Sequence, residues 1–159
     1  MKIRIVGVGK IKEKYMQQGI KEYSKRLSRY CNLEIIEVED EKTSENLSKR
    51  EMDIIKNKEG ARILSKLPLN SYIIALVIDG KKLSSEDLSQ KIETLMIDGT
   101  NDITFIIGGS LGLSTEVINK SNFKLSFSNM TFPHQLMRMI LLEQVYRGFR
   151  IMKGEPYHK

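Results

Sequence analysis

Cysteine occurs once in this chain, histidine twice and proline three times, and no apolar run approaches the length of a membrane span. Each scarcity excludes something. A single Cys31 cannot form an internal disulfide. Its neighbours Tyr30 and Leu33 predict a buried, inert thiol. Two histidines and one cysteine are too few for a zinc site built from the usual ligands, so no metal centre is expected. A spanning helix needs roughly 20 apolar residues, and none is present, so no membrane partner is expected. The start, Met1-Lys2-Ile3-Arg4-Ile5-Val6, alternates basic and apolar residues. It lacks the long apolar core of a signal peptide, and a cytoplasmic location is the expectation.

What is present fits a soluble domain. The 159 residues suit one domain, 1–159, large enough to bury a core. Net charge is +6 with a pI near 9.3, which favours an anionic partner such as RNA.

Hydrophobic periodicity orders the chain. Lys2 to Val8 alternates as a strand that Gly7 and Gly9 end. Met16, Ile20, Tyr23, Leu27 and Tyr30 step by four and three along one helix face, with lysines and arginines opposite. Leu33 to Val38 reads as a strand and Glu39 to Asn46 as an exposed loop. A helix is predicted over Leu47 to Leu67, weakened at Gly60 and stopped at Pro68. Ser71 to Ile78 is β-branched and apolar, as in a strand buried on both faces, and Asp79-Gly80 is read as a turn. Ser84 with Asp87 resembles a capping box ahead of Leu88, Ile92, Leu95 and Met96. A buried strand (Ile103–Ile107), a short helix (Ser114–Ser121), a short strand (Phe123–Phe127) and a long helix (Pro133–Met152) follow. Strands alternating with helices predict an α/β fold with a mostly parallel sheet flanked by helices.

Two glycine motifs invite a phosphate reading, and both fail it. Gly7-Val8-Gly9-Lys10 lacks the first glycine and the Ser or Thr of a Walker A loop. Gly108-Gly109-Ser110-Leu111-Gly112 follows a buried strand but lacks the dinucleotide spacing and its acidic partner. Glycine at such a place still lets backbone groups approach a ligand. The stretch Ser126 to Pro133 is a second loop after a strand, with Thr131 placed to cap the helix that Pro133 begins. The strand ending near Leu76 adds a third wall. Together these form a pocket of backbone amides and apolar walls. It suits an adenine with a neutral-to-cationic tail, since no lysine is committed to phosphate.

On the last helix Glu143, Arg147 and Arg150 lie along one face, and residues 138–159 carry a local charge of +3. By itself the Glu143–Arg147 spacing predicts a surface ion pair of a few tenths of a kcal/mol. Tyr157 and His158 offer a stacking ring and a side chain of the type that titrates near neutral pH, in a segment that composition alone predicts to fray. His134 is expected to cap or pack at the helix start.

The combination resembles the RlmH family of ribosomal RNA methyltransferases, of the SPOUT class. The resemblance covers the whole chain. It rests on Val6-Gly7-Val8-Gly9-Lys10, Ile107-Gly108-Gly109-Ser110 with Gly112, Leu125-Ser126-Phe127-Ser128, Met130-Thr131-Phe132-Pro133-His134, Glu143-Gln144-Val145-Tyr146-Arg147 and Pro156-Tyr157-His158. It implies a C-terminal deep trefoil knot, a feature that ordinary connection rules disfavour. It further implies S-adenosylmethionine as cofactor, at Leu76, Gly108, Phe127, Ser128, Asn129, Met130, Thr131 and Phe132. A homodimer is implied, with the partner's C-terminal segment completing the site. The implied reaction is methylation of N3 of a pseudouridine in a 23S rRNA stem-loop, in the context of the assembled ribosome. His158, Tyr157 and Arg147 are the catalytic candidates, and Arg150 and Lys153 the RNA-binding ones. A non-catalytic RNA-binding factor and a nicotinamide-dependent oxidoreductase are the rival classes, the latter disfavoured by its missing fingerprint.

Overall fold

A computed structural model describes all 159 residues. Five strands form one sheet: β1 (Lys2–Val8), β2 (Asn32–Val38), β3 (Tyr72–Lys82), β4 (Asp102–Ile107) and β5 (Phe123–Ser126). Their order is β2-β1-β4-β3-β5 and every pairing is parallel. Five helices cover it: α1 (Lys14–Leu27), α2 (Lys49–Leu64), α3 (Ser85–Ile97), α4 (Thr115–Lys120) and α5 (His134–Met152).

The strand pattern explains the two-sided core. Successive side chains of a strand point to opposite faces. Ile3, Ile5, Ile103, Phe105 and Ile107 therefore meet Leu27, Leu88, Ile92, Leu141, Leu142, Val145 and Phe149 of α1, α3 and α5. Val6, Val8, Ile106, Ile73 and Ala75 meet Ile63 of α2 and Val117 of α4 on the other face. Central strands buried on both sides carry the near-continuous apolar runs seen in β1 and β4. No helix is long and apolar enough to cross a membrane.

Three local expectations change. Asp79-Gly80 is not a turn: β3 runs on to Lys82, and its register on β5 jumps between Leu76 and Lys81. Residues 77–80 bulge out, and the chain then returns to β5 with Gly80 flush against that strand. A Cβ on Gly80 would lie 2.8 Å from the carbonyl carbon of Lys124, a spacing no side chain tolerates. Thr131 does not cap α5, whose N-cap is Pro133, with no side-chain bond to the helix amides. Helix α2 is capped by the reciprocal pair Ser48 and Glu51 and begins at Lys49, two residues after the predicted start. The Ser84–Asp87 box forms as expected.

In a parallel sheet all strands end at one edge. The loops after β1, β4 and β5 and the bulge of β3 thus share the edge where such folds bind ligands.

Candidate active site

The glycine turn sits at the end of β4. Gly112 donates its N–H to the carbonyl of Gly109 at 3.1 Å, and φ of +86° at Gly112 closes the turn. Gly108 faces that turn at close range, since a Cβ there would be 2.8 Å from the carbonyl carbon of Gly112. Behind it lies Glu59, 4% exposed, whose Oε1 would be 3.1 Å from a Cβ on Gly109. Burial pushes the Glu59 carboxyl above its usual range, and the N–H of Glu41, donated to Oε2 at 3.0 Å, only partly offsets it.

The second loop follows β5 and is ordered by its own serines. Ser126 is buried and donates its hydroxyl to the carbonyl of Ser128 at 3.2 Å. Ser128 Oγ accepts the N–H of Met130 at 3.0 Å. Phe127, Ser128 and Phe132 are half-buried, while Asn129, Met130 and Thr131 are exposed. Leu76, half-buried, sits where β3 leaves its register with β5, opposite Leu125. The parallel sheet therefore gathers Leu76, Gly108 and 127–132 from three adjacent strands onto one edge. Leu76, Phe127 and Met130 are the larger apolar side chains of this group, the first two half-buried and Met130 exposed. Neither the glycine turn nor the 127–132 loop contains a lysine or arginine, which fits a cationic ligand with an aromatic base and not a polyphosphate.

The C-terminal segment does not fray. Tyr157 stacks edge-on against Tyr146 at 4.9 Å and under the Arg147 guanidinium at 4.7 Å. Its hydroxyl donates to Glu143 Oε1 at 3.0 Å, and the same oxygen accepts two bonds from Arg147, at 2.6 and 3.0 Å. Glu143 and Arg147 thus form more than a surface pair, with side chains only 17% and 25% exposed. Burial, then the bond to Glu143, pushes the Tyr157 phenol up to about 12. His158 bridges two elements: Nδ1 lies 3.3 Å from Arg147 Nη1 and Nε2 2.7 Å from Glu86 Oε1 of α3. An arginine only donates. Nδ1 is therefore the acceptor, and the ring proton sits on Nε2, toward Glu86. Arg150 pairs with Glu155, donates to the Pro156 carbonyl at 3.1 Å and contacts the Tyr30 hydroxyl, so its charge is spent on holding the segment. Lys153 is exposed at the helix end.

Sequence reasoning counted Arg138 only as one more basic residue of the last helix. It is 1% exposed, donates to Glu37 Oε2 at 2.7 Å and to the Gly9 carbonyl at 3.1 Å. His134 packs beside Gly9, and burial together with Arg138 holds its imidazole below the ordinary value. An arginine in the midst of Met137, Met139 and Ile140 is the one signal that could have flagged a buried cation. Cys31 is buried as expected, and its thiol is pushed up to about 11 by burial. No group of three or more His, Cys, Asp or Glu is arranged to hold a metal ion.

Comparison with known proteins identifies the family. A family model described as "Predicted SPOUT methyltransferase" matches residues 1–158. Proteins named ribosomal RNA large subunit methyltransferase H are similar over all 159 residues and their own full length. They include those of Clostridioides difficile at 63% identity, Enterococcus faecalis at 60% and Bacillus cytotoxicus at 58%. Among solved structures, one from Legionella pneumophila, described as a methyltransferase with bound cofactor SAM, matches 94% of this chain and 66% of its own, with TM-score 0.51 and 13% identity. A methylase family protein from Neisseria gonorrhoeae matches 99% of this chain and 85% of its own, with TM-score 0.51 and 14% identity. At those identities the structures speak for the fold alone, whereas the sequence matches speak for the family. The chain belongs to the SPOUT methyltransferases and, within them, to the ribosomal RNA large subunit methyltransferase H family.

Proposed function

We propose that this chain uses S-adenosylmethionine to methylate N3 of a pseudouridine in a 23S rRNA stem-loop on the assembled ribosome, as a cytoplasmic homodimer. One observation carries the reading. Leu76, Gly108 and Phe127–Phe132 come from three adjacent strands and share one sheet edge, and neither the glycine turn nor the 127–132 loop itself carries a lysine or arginine.

Leu76, Phe127 and Met130 would clasp the adenine, and the amides of the glycine turn and of 127–132 would hold its polar edges and the amino-acid tail. The loops following β4 and β5 form the trefoil knot around it. When bound, the cofactor supplies a methyl group already activated on a sulfonium. The chain's own work is alignment and removal of one proton from N3. Arg147 and Glu143 hold Tyr157, and Tyr157 stays protonated far above neutral pH, so it positions and does not act as the base. His158 Nδ1 accepts the N3 proton once it parts from Arg147, with Glu86 orienting the ring through Nε2. The hydrogen bonds of Tyr157 and His158 go to α3 and α5, and none reaches 127–132. That division supports a site in which the partner's C-terminal segment supplies the catalytic half beside the cofactor loops.

The test is methyl transfer from labelled S-adenosylmethionine to ribosomes of a strain without this enzyme, beside calorimetric titration of the cofactor. Label at a single 23S rRNA pseudouridine, with cofactor binding in the absence of RNA, is the expected result. Ribosome binding without cofactor binding or transfer would overturn it in favour of a non-catalytic RNA-binding factor.

A further inference from the structure

Arg147 and Arg150 are neutralised inside the fold by Glu143 and Glu155. Residues 1–31 hold nine Lys and Arg against two Glu, a local +7, while residues 32–60 hold five against nine acidic residues, a local −4. Of the nine, only Lys2, Arg4 and Arg26 form ion pairs. Lys10, Lys12 and Lys14, in the loop between β1 and α1 and at the helix start, are exposed and unpaired. Lys21 and Lys25 continue the stripe, seven and eleven residues on from Lys14 along one helix face.

Tyr15 stands among these lysines with 63% of its surface exposed. The other five tyrosines are half-buried or buried. The surrounding loop is ordered. Gly9 donates to the Val38 carbonyl at 2.8 Å, Ile11 donates its N–H to Glu37 at 3.0 Å, and Gln17 donates to the Ile11 carbonyl at 2.8 Å. It also adjoins the cofactor edge, since His134 Nε2, just past the 127–132 loop, would be 3.5 Å from a Cβ on Gly9. From there α1 runs to the other half of the site, where Arg26 lies over the Tyr146 ring at 5.7 Å.

We infer that Lys10, Lys12, Lys14 and Tyr15 form an RNA-binding surface beside the cofactor loop. The lysines contact phosphates of the substrate stem-loop, and Tyr15 stacks on an unpaired base. This rests on the rRNA methyltransferase reading above. Free lysines supply the sequence-independent attraction, and an exposed ring supplies a platform for a base that duplex RNA does not offer. Substrate held here would be guided along α1 between the two halves of the site.

The test compares Lys10→Ala/Lys12→Ala/Lys14→Ala, Tyr15→Ala and Tyr15→Phe with wild type, on unmodified ribosomes. The triple variant should raise KM for ribosomes about tenfold or more at moderate salt, and lower the slope of log K against log salt by roughly 2–3. Its kcat and cofactor Kd should not move. Tyr15→Ala should raise KM by about tenfold and Tyr15→Phe by little, because stacking uses only the ring. Lys49→Ala/Lys58→Ala/Lys66→Ala removes the same charge from α2 and its end and should leave KM within about twofold of wild type, since no phosphate contact is lost. A lysine triple that matches wild type, or a control triple that matches its effect, overturns the inference while methylation by wild type still stands. Absence of any methylation by wild type would instead remove the reading on which it rests.

Discussion

The guanidinium of Arg138 lies directly on the backbone of Gly7. A Cβ at residue 7 would be 2.5 Å from Arg138 Nη2 and 2.8 Å from Cζ. Glycine at this place serves a neighbour's side chain and not a phosphate. The contact pins the second turn of α5 to the end of β1, and so sets where the 127–133 loop must finish.

Gly7→Ala should therefore destabilise the fold by about 1–3 kcal/mol, the usual cost of overpacking a full core. Chemical denaturation measures it. Arg138→Ala in the same chain should recover part of the loss, because the clash partner is gone. Two losses that simply add would show that the residues do not oppose one another.

Gly108→Ala should weaken S-adenosylmethionine about tenfold or more, because its Cβ lies 2.8 Å from the Gly112 carbonyl carbon and displaces the turn amides. Gly108→Ser should weaken it to a similar extent, and circular dichroism checks that both variants remain folded. Unaltered binding in either variant would move the cofactor away from this turn.

Truncation after Glu155 removes Tyr157 and His158 but leaves Arg150 its pair with Glu155. Cofactor binding should persist and methyl transfer should vanish. Tyr157→Phe keeps the stacking on Tyr146 and loses the bond to Glu143, at a cost of about 1 kcal/mol. The absorbance difference between wild type and Tyr157→Phe on alkaline titration should show a phenol ionising near 12. One that ionises near 10 would mean that the segment is open in solution.

Glu59 supplies a pH test with a definite sign. Its carboxyl is raised from the ordinary 4.5 by burial, so the folded state holds the proton more tightly than the unfolded one. Its contribution then falls as pH rises from about 4.5 through the folded value, and the full cost stands above it. Glu59→Gln keeps an acceptor for the Glu41 N–H and should raise Tm at pH 7, by an amount that shrinks toward pH 4.5. A gain that is the same at every pH would deny the shift.

All ten elements were legible in the sequence, because periodicity in Val, Ile and Leu reports burial locally. Ser84 with Asp87 marked its helix start for the same reason: a capping box is a contact between residues three apart. The glycine turn, the Ser126–Pro133 loop and the strand ending near Leu76 were read as pocket walls from their composition, but their assignment as cofactor contacts came only from resemblance to a family. Nothing in strand periodicity says that three strand ends share one edge in the order β4-β3-β5.

What escaped depends on partners distant in the chain. Asp79-Gly80 has the composition of a turn, yet pairing with β5 more than 40 residues later draws Lys81 and Lys82 back into the sheet. Thr131 has the chemistry of a cap, and the chain's path into α5 gives that place to Pro133. Arg138 reads as a surface cation until Gly7, Gly9 and Glu37 enclose it. Nothing in the sequence shows that Arg150 pairs with Glu155, or that the Glu143–Arg147 pair also holds Tyr157. Burial of apolar residues is written along the chain, and the sequence alone determined the elements and their faces. Which cations are spent inside and which remain for a partner was decided only by tertiary structure, since an ion pair exists where two distant side chains meet.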